Sequence, residues 1–284
     1  MNGGVVAVLV HGFADAAVPY ALAALGGVVS ERSGVANVAL EASLLAGAFG
    51  ASVVAAAGGS LVAAIACAAA VGACVGLVHG AFAVLGRASS IVVGMALNLG
   101  AIGVTKGLLR LLYGSSANGP AFELRLHDGA GLALVVALAA GVVSMLEGSR
   151  FGVRLRAVGA DAARAEQVGF APARVRAVAL TGGHALAAVG GAALCLASGQ
   201  FQSQMSAGRG FLALALVILG RWEVLPTLVG VACLAALEAS EVFVQEGLGL
   251  PSELVLALPY LAILPVLALG AGRMQGSRIP RFEP

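Results

Sequence analysis

Residues 131–146 read GLALVVALAAGVVSML, a block with no charged side chain and with apolar residues pointing in every direction, so that no face of a helix or strand built from it is polar. A transmembrane barrel strand alternates in polarity over about 10 residues, and this block does not. It reads as helix inside a hydrocarbon layer. Outward from it the same texture recurs: apolar stretches cover about 5–29, 35–57, 61–85, 91–113, 129–146, 177–198, 211–236 and 254–271, the first beginning either at Val5 or at Ala16. A hydrocarbon core about 30 Å thick takes about 20 helical residues per crossing. Most of these stretches are long enough, and the chain is expected to be an all-α polytopic membrane protein with about eight apolar segments.

Composition agrees. Of 284 residues, 60% are hydrophobic and 11% charged, where soluble domains average roughly 45–50% and about 25%; mean hydropathy is +1.00. Disordered, nucleic-acid-binding and disulfide-scaffold classes are excluded together. A net charge of +2 implies no acidic partner. Cys67, Cys74, Cys195 and Cys233 lie in apolar blocks without CxxC spacing or a nearby His, and read as small hydrophobes, with no metal site and no cofactor expected. The first twenty residues lack a basic n-region and are interrupted by His11 and Asp15, so they do not read as a cleaved leader.

The basic residues orient the chain. The most polar connection, 148–176, carries Arg150, Arg154, Arg156, Arg164, Arg174 and Arg176, and the positive-inside rule makes it cytoplasmic. The C-terminal tail, with Arg273, Arg278 and Arg281, asks for the same side, as does Arg87. The connection at 113–129 then falls outside despite Arg125, and so does 199–208.

Two stretches break the apolar pattern. Residues 209–239 consist of two half-length apolar pieces around Arg221, Trp222, Glu223 and Pro226. A continuous helix would place an Arg and a Glu near the bilayer centre with a helix-breaking Pro just beyond. A broken or re-entrant helix pair near 209–239 is expected instead, the halves meeting between Gly220 and Pro226. Its charges are more readily paired to other helices than used on a solute. The second intrusion places Glu31, Arg32, Asn37 and Glu41 between two apolar blocks. It fits either a cytoplasmic turn with Ser30 or Ser33 as a cap, or a discontinuous helix whose ends face a pathway. Asn98 lies deep in its block, where an amide serves helix packing or a pathway, while Lys106 and Arg110 share a face and snorkel. His79 and His184 read as satisfied core residues. Glu238, Glu241 and Glu246 read as a solvated helix end, with an acidic vestibule as the other possibility.

Taken in order, these segments resemble a known family. PYALAALGGVVSERSGVANVALEASLLAGAF, 19–49, resembles the N-terminal signature of the membrane permeases of nucleoside-type ABC importers, relatives of the branched-chain amino acid and ribose permeases, through Pro19, Ser30, Glu31, Arg32, Gly34, Asn37 and Glu41. Ala42 stands where that family usually has Gly. SSIVVGMALNLGAIGVTKGL, 89–108, is similar to its Val-x-Gly-x-Ala-Leu-Asn segment through Gly94, Ala96, Leu97 and Asn98. FGVRLRAVGADAARAEQVGF, 151–170, is similar to its Arg-Ala-x-Gly loop, with Asp161 where Asn-Pro is common. AGRGFLALALVILGRWEVLP, 207–226, matches Gly-Arg-Gly-Phe followed by Gly-x-Trp. The resemblance covers most of the chain, from about Pro19 to about Tyr260.

The resemblance implies a single transmembrane permease domain, 1–284, in the inner (plasma) membrane of a bacterium. It further implies an importer for nucleosides or related sugar-like solutes. Its partners would be an ABC-type ATP-binding subunit, a second, paralogous permease chain and an external solute-binding lipoprotein, all in membrane lipid. No Walker A sequence occurs, and Lys106 is in the wrong context for one. The chain is therefore expected to do no chemistry and to have no catalytic residues. The resemblance makes the 148–176 connection an ATPase coupling loop through Arg156, Gly159, Asp161, Ala162, Ala163, Glu166 and Gly169. In it a short helix can begin at the acid and stop at the Gly; without the resemblance the same residues read as a solvated, topology-setting loop. Glu31, Asn37, Glu41, Asn98, Arg221 and Glu223 are the candidate translocation-pathway residues. A secondary transporter driven by a proton or sodium gradient, with Glu31 or Glu41 as carrier, is the alternative.

Overall fold

The computed structural model describes residues 2–241 together with 243, 245, 257, 258, 261, 280 and 282. Among these the elements are α1 (Asn2–Glu31), α2 (Leu40–Ala56), α3 (Leu61–Gly80) running into a π turn (Ala81–Leu85), α4 (Ser90–Tyr113), α5 (Asp128–Gly148), α6 (Arg150–Ala160), α7 (Ala162–Gln167), α8 (Pro172–Ser198), α9 (Arg209–Leu219) and α10 (Val224–Ala239). Five are long and apolar enough to cross a membrane: α1, α3 with its π turn, α4, α5 and α8, whereas α2, α9 and α10 are apolar but shorter. The segment expected from Val35 is helical only from Leu40. The last apolar stretch, 254–271, lies outside the described residues apart from Ala257, Leu258 and Leu261.

α8 is the central post, packed against α1, α2 and α3. Lipid tails are as apolar as Leu, so helices in a bilayer gain little by burying apolar surface and associate through close backbone packing. The sequence supplies that closeness with glycine. A Cβ at Gly26 of α1 would overlap the carbonyl oxygen of Gly183, one at Gly47 of α2 that of Ala188, and one at Gly72 of α3 that of His184. From α8, Gly191 faces the Leu44 carbonyl in the same way. Around this post Leu22, Leu25, Leu40, Leu44 and Leu180 are fully buried.

The bundle has two distinguishable ends. At one, the 114–127 connection lies against 199–203: Gly119 N–H donates to the Phe201 carbonyl at 2.9 Å and Ser203 N–H to that of Ala117 at 2.7 Å. Phe201 is fully buried with its ring edge-on to Phe49. The start of α1 is at this end too, because the His11 imidazole pairs with Asp128, the first residue of α5, at 2.9 Å. At the other end the Arg-rich connection folds under the bundle. α6 was not foreseen as a helix. Its Leu155 and Val158 are buried and Arg150, Arg154 and Arg156 exposed, and Ser149 caps it by accepting from Gly152 N–H at 3.0 Å.

The broken pair expected at 209–239 is present. α9, at 1.5 Å per residue, is about 16 Å long, and α10 returns alongside it, so that Arg209 at the start of α9 meets Glu238 at the end of α10 at 2.6 Å. The break is narrower than expected, Gly220–Glu223, with Pro226 inside the first turn of α10. Pro is tolerated there because the first turn has no intrahelical partner for its N–H. Arg221 and Trp222 take left-handed backbone conformations, φ 56° and 57°.

Candidate functional site

Each helix that begins inside the bundle leaves backbone N–H groups without partners, and in this protein the neighbours supply them. α2 starts at Leu40, and no side chain of its own caps it. Asn98 of α4 does so from across the bundle: its Oδ1 accepts from Ala42 N–H at 2.9 Å and its Nδ2 donates to the Val38 carbonyl at 3.0 Å. α9 starts at Arg209 after a left-handed Gly208, also without a cap of its own. Glu41 of α2 reaches that start. One carboxylate oxygen accepts from Ser206 Oγ at 2.6 Å and Gly208 N–H at 2.9 Å, the other from Gly210 N–H at 2.7 Å. A carboxylate is suited to this position, since the helix N-terminus carries partial positive charge.

Glu31 and Asn37 do the same for the linker between α1 and α2. Glu31, buried at the end of α1, accepts from Asn37 N–H at 3.0 Å and from the Trp222 indole N–H at 2.7 Å. Asn37 Nδ2 donates to Ser30 Oγ at 2.9 Å. Arg32 Nε donates to the Trp222 carbonyl at 2.6 Å, and the guanidinium faces Glu147 at 3.5 Å. Burial lowers the pKa of Arg32, with the Glu147 charge acting in the opposite sense. The 220–223 turn is thus tied to the α1–α2 linker through both the ring and the backbone of Trp222, which holds its left-handed conformation in place. Phe282 packs its ring 5.8 Å from that of Trp222, while Arg273, Arg278 and Arg281 lie outside the described residues.

The six candidate pathway residues therefore separate. Glu31 and Asn37 join with the 220–223 turn, Glu41 and Asn98 meet at the start of α2, Glu223 lies near Arg32, and Arg221 is exposed. Ser206 and Trp222 complete the arrangement, and neither stood out as a functional residue in the sequence. Glu238 is not solvated as expected: its side chain is 18% exposed and bonded to Arg209, whose guanidinium also lies 5.9 Å from the Tyr20 ring. Glu246 is outside the described residues. On α4, Arg110 is exposed and Lys106 half-buried.

In the Arg-rich connection, Asp161 is the N-cap of α7, accepting from Arg164 N–H at 3.0 Å, and Gly169 ends the unit at φ 87°. Gly159 lies against the linker, where a Cβ would overlap the Arg32 carbonyl oxygen, and Arg176 Nε donates to the Ser33 carbonyl at 3.3 Å. Arg156 faces Glu147 at 3.8 Å. Ala162, Ala163 and Glu166 of α7 form one wall of a cleft of about 530 Å³ whose other wall is the α3–α4 turn with Arg87, Ala88 and Ser90, and whose floor includes Gly34 and Val35 of the linker. The connection is therefore a built surface: a capped helix with a small-residue face opening on a cleft that also touches the linker held by Glu31.

The family model described as the permease component of branched-chain amino acid transport systems matches residues 9–267. The guanosine ABC transporter permease protein NupQ of Bacillus subtilis (strain 168) is 30% identical, over 89% of this chain and 88% of that protein. The nucleoside ABC transporter permease protein NupC of Lactococcus lactis subsp. cremoris (strain MG1363) is 31% identical, over 90% of this chain and 89% of that protein. No solved structure matches the chain.

Proposed function

Because the chain belongs to the family of branched-chain amino acid transport system permease components, we propose that it is the transmembrane subunit of an ATP-driven importer for nucleosides or related sugar-like solutes. On this reading the whole chain, 1–284, is one permease domain of a bacterial inner membrane, with the 148–176 connection and the C-terminus cytoplasmic. It works with an ABC-type ATP-binding subunit, a second permease chain and an external solute-binding lipoprotein. The names of the two relatives motivate the solute class. The observation that carries the coupling role is the α7 face: Ala162 and Ala163 are small, partly or fully exposed, and open on the cleft of about 530 Å³. An ATPase segment seated there would touch α7, the α3–α4 turn and the α1–α2 linker at once.

The gradient-driven alternative is disfavoured by the surroundings of its carriers. Glu41 accepts three hydrogen bonds and Glu31 two, and protonating either would weaken it as an acceptor for the donors already bonded to it. Vesicles holding the complete complex, with internal ATP and an uncoupler, provide the direct test. Uptake is expected to continue when ion gradients collapse and to stop without ATP; the reverse pattern would return the gradient-driven reading.

The coupling surface has its own test. Ala163→Trp fills the cleft face of α7 without disturbing a buried contact, because Ala163 is exposed. The variant is expected to reach the membrane at wild-type level and to lose ATP-dependent uptake. Cysteine crosslinks from 162–166 should capture the ATPase subunit; uptake at wild-type rate would remove α7 from the coupling role.

A further inference from the structure

A line of hydroxyls and imidazoles crosses the bundle from α2 to the cleft. Ser43 Oγ lies 2.5 Å from His184 Nδ1, His184 Nε2 lies 2.9 Å from His79 Nδ1, and His79 Nε2 lies 2.9 Å from Ser90 Oγ, which donates to the Ala36 carbonyl at 2.7 Å. Ser43, His79 and His184 are each 0% exposed. The four side chains come from α2, α8, α3 and α4, and the two rings meet edge-on.

The direction of every bond follows from its last member. A carbonyl oxygen only accepts, so Ser90 uses its one hydrogen on Ala36 and must accept from His79 Nε2–H. His79 Nδ1 is then bare and accepts from His184 Nε2–H, and His184 Nδ1 accepts from the Ser43 hydroxyl. With both rings neutral, each imidazole is therefore the Nε2–H tautomer. Ser43 has one more acceptor in range, the Ala39 carbonyl at 3.3 Å. Four neutral side chains bring four hydrogens to five contacts, and the contact left unfilled is the longest. The Ser90 end of the line is therefore bonded to the linker carbonyl of Ala36, and the Ser43 end lies near that of Ala39 without a hydrogen to give it.

We propose that this line makes His79 and His184 positioning residues for transport, passing a displacement of the α3–α4 turn at the cleft to the first turn of α2. The inference rests on the reading that an ATPase docks in that cleft. Ser90 lines the cleft beside Arg87 and Ala88, opposite Ala162 and Ala163. If it moves away, the fully buried His79 loses the acceptor of its N–H, and a stranded buried donor is strongly disfavoured. Close backbone packing of α3 on α8 at Gly72 and Gly76 keeps the two rings against each other, so that the line acts as one unit. Its far end is Ser43. It lies two residues from Glu41, whose carboxylate holds the start of α9.

The test separates coupling from structure by reading uptake and ATP hydrolysis independently in the reconstituted complex. Ser90→Ala and Ser43→Ala cut the line at opposite ends. Each is expected to lower solute taken up per ATP hydrolysed on the order of tenfold, a usual size for coupling between sites, while hydrolysis continues, and Ser90→Thr should restore it. Nitrogen-15 NMR of the purified permease should show His79 and His184 as Nε2–H tautomers, assigned by the signals missing in His79→Asn and His184→Gln. Unchanged uptake per ATP in both alanine variants, uptake and hydrolysis falling in proportion, or an Nδ1–H tautomer at either ring would overturn the proposal. A wild-type complex that imports without ATP would instead sink the transport reading, a failure visible before any variant is made.

Discussion

Glu41→Leu is expected to release the start of α9 and to leave little folded permease. The substitution puts an apolar side chain of similar size at a buried position and removes the acceptor for Ser206 Oγ–H, Gly208 N–H and Gly210 N–H. A buried donor without a partner costs about 1–3 kcal/mol, and bonds to a charged acceptor are at the upper end. Three of them amount to several kcal/mol, a large fraction of the 5–15 kcal/mol typical of a folded domain. There is no compensating room, since a Cβ at Gly210 would already overlap the Glu41 backbone; the two helix starts are pressed together. Thermal unfolding in detergent should show a much lower midpoint for Glu41→Leu, with Glu41→Gln intermediate because its amide oxygen still accepts. A Leu variant melting like wild type would mean that α9 is held by packing alone.

How much of this was legible beforehand differs by feature. The long helices were, because evenly apolar blocks leave a chain in lipid few alternatives, and so was α7, because Asp161 and Gly169 act locally as cap and stop. The interruption at 31–41 was visible as polar residues in an apolar run, but not its purpose: Glu41 acts on residues 206–210 and Asn98 on Ala42, and such distant pairings leave no trace in local spacing. The same holds for His79 and His184. Each looked like an isolated core imidazole, and each is satisfied, but by the other. α6 was missed because its arginines dominate an otherwise amphipathic pattern of Leu155 and Val158. Trp222 was visible at the break and in the Gly-x-Trp match, but its role was not: it is the indole, not Arg221 or Glu223, that ties the turn to Glu31.

The post itself yields the sharpest contrast between two chemically identical substitutions on one helix. Gly191 and Gly182 both lie in α8, and Val at either gains the same small amount of helix propensity over Gly. Around Gly182 nothing lies within 4 Å of where a Cβ would be, whereas at Gly191 the Cβ would overlap the Leu44 carbonyl oxygen and crowd Ala48 N. Overpacking against flexible side chains costs about 1–3 kcal/mol. Here the obstruction is backbone, which has no rotamer to change, so α2 must back away from α8. Backing away also opens the reciprocal contact of Gly47 with Ala188 and lengthens the bond between Ser43 and His184. Gly191→Val is therefore expected to cost more than the usual about 1–3 kcal/mol and to lower the thermal midpoint of the isolated permease sharply, with Gly182→Val near wild type. Equal midpoints would mean that α2 and α8 are separated by more than this structure shows. A stable Gly182→Val permease that no longer supports uptake would place that open face of α8 against a partner subunit.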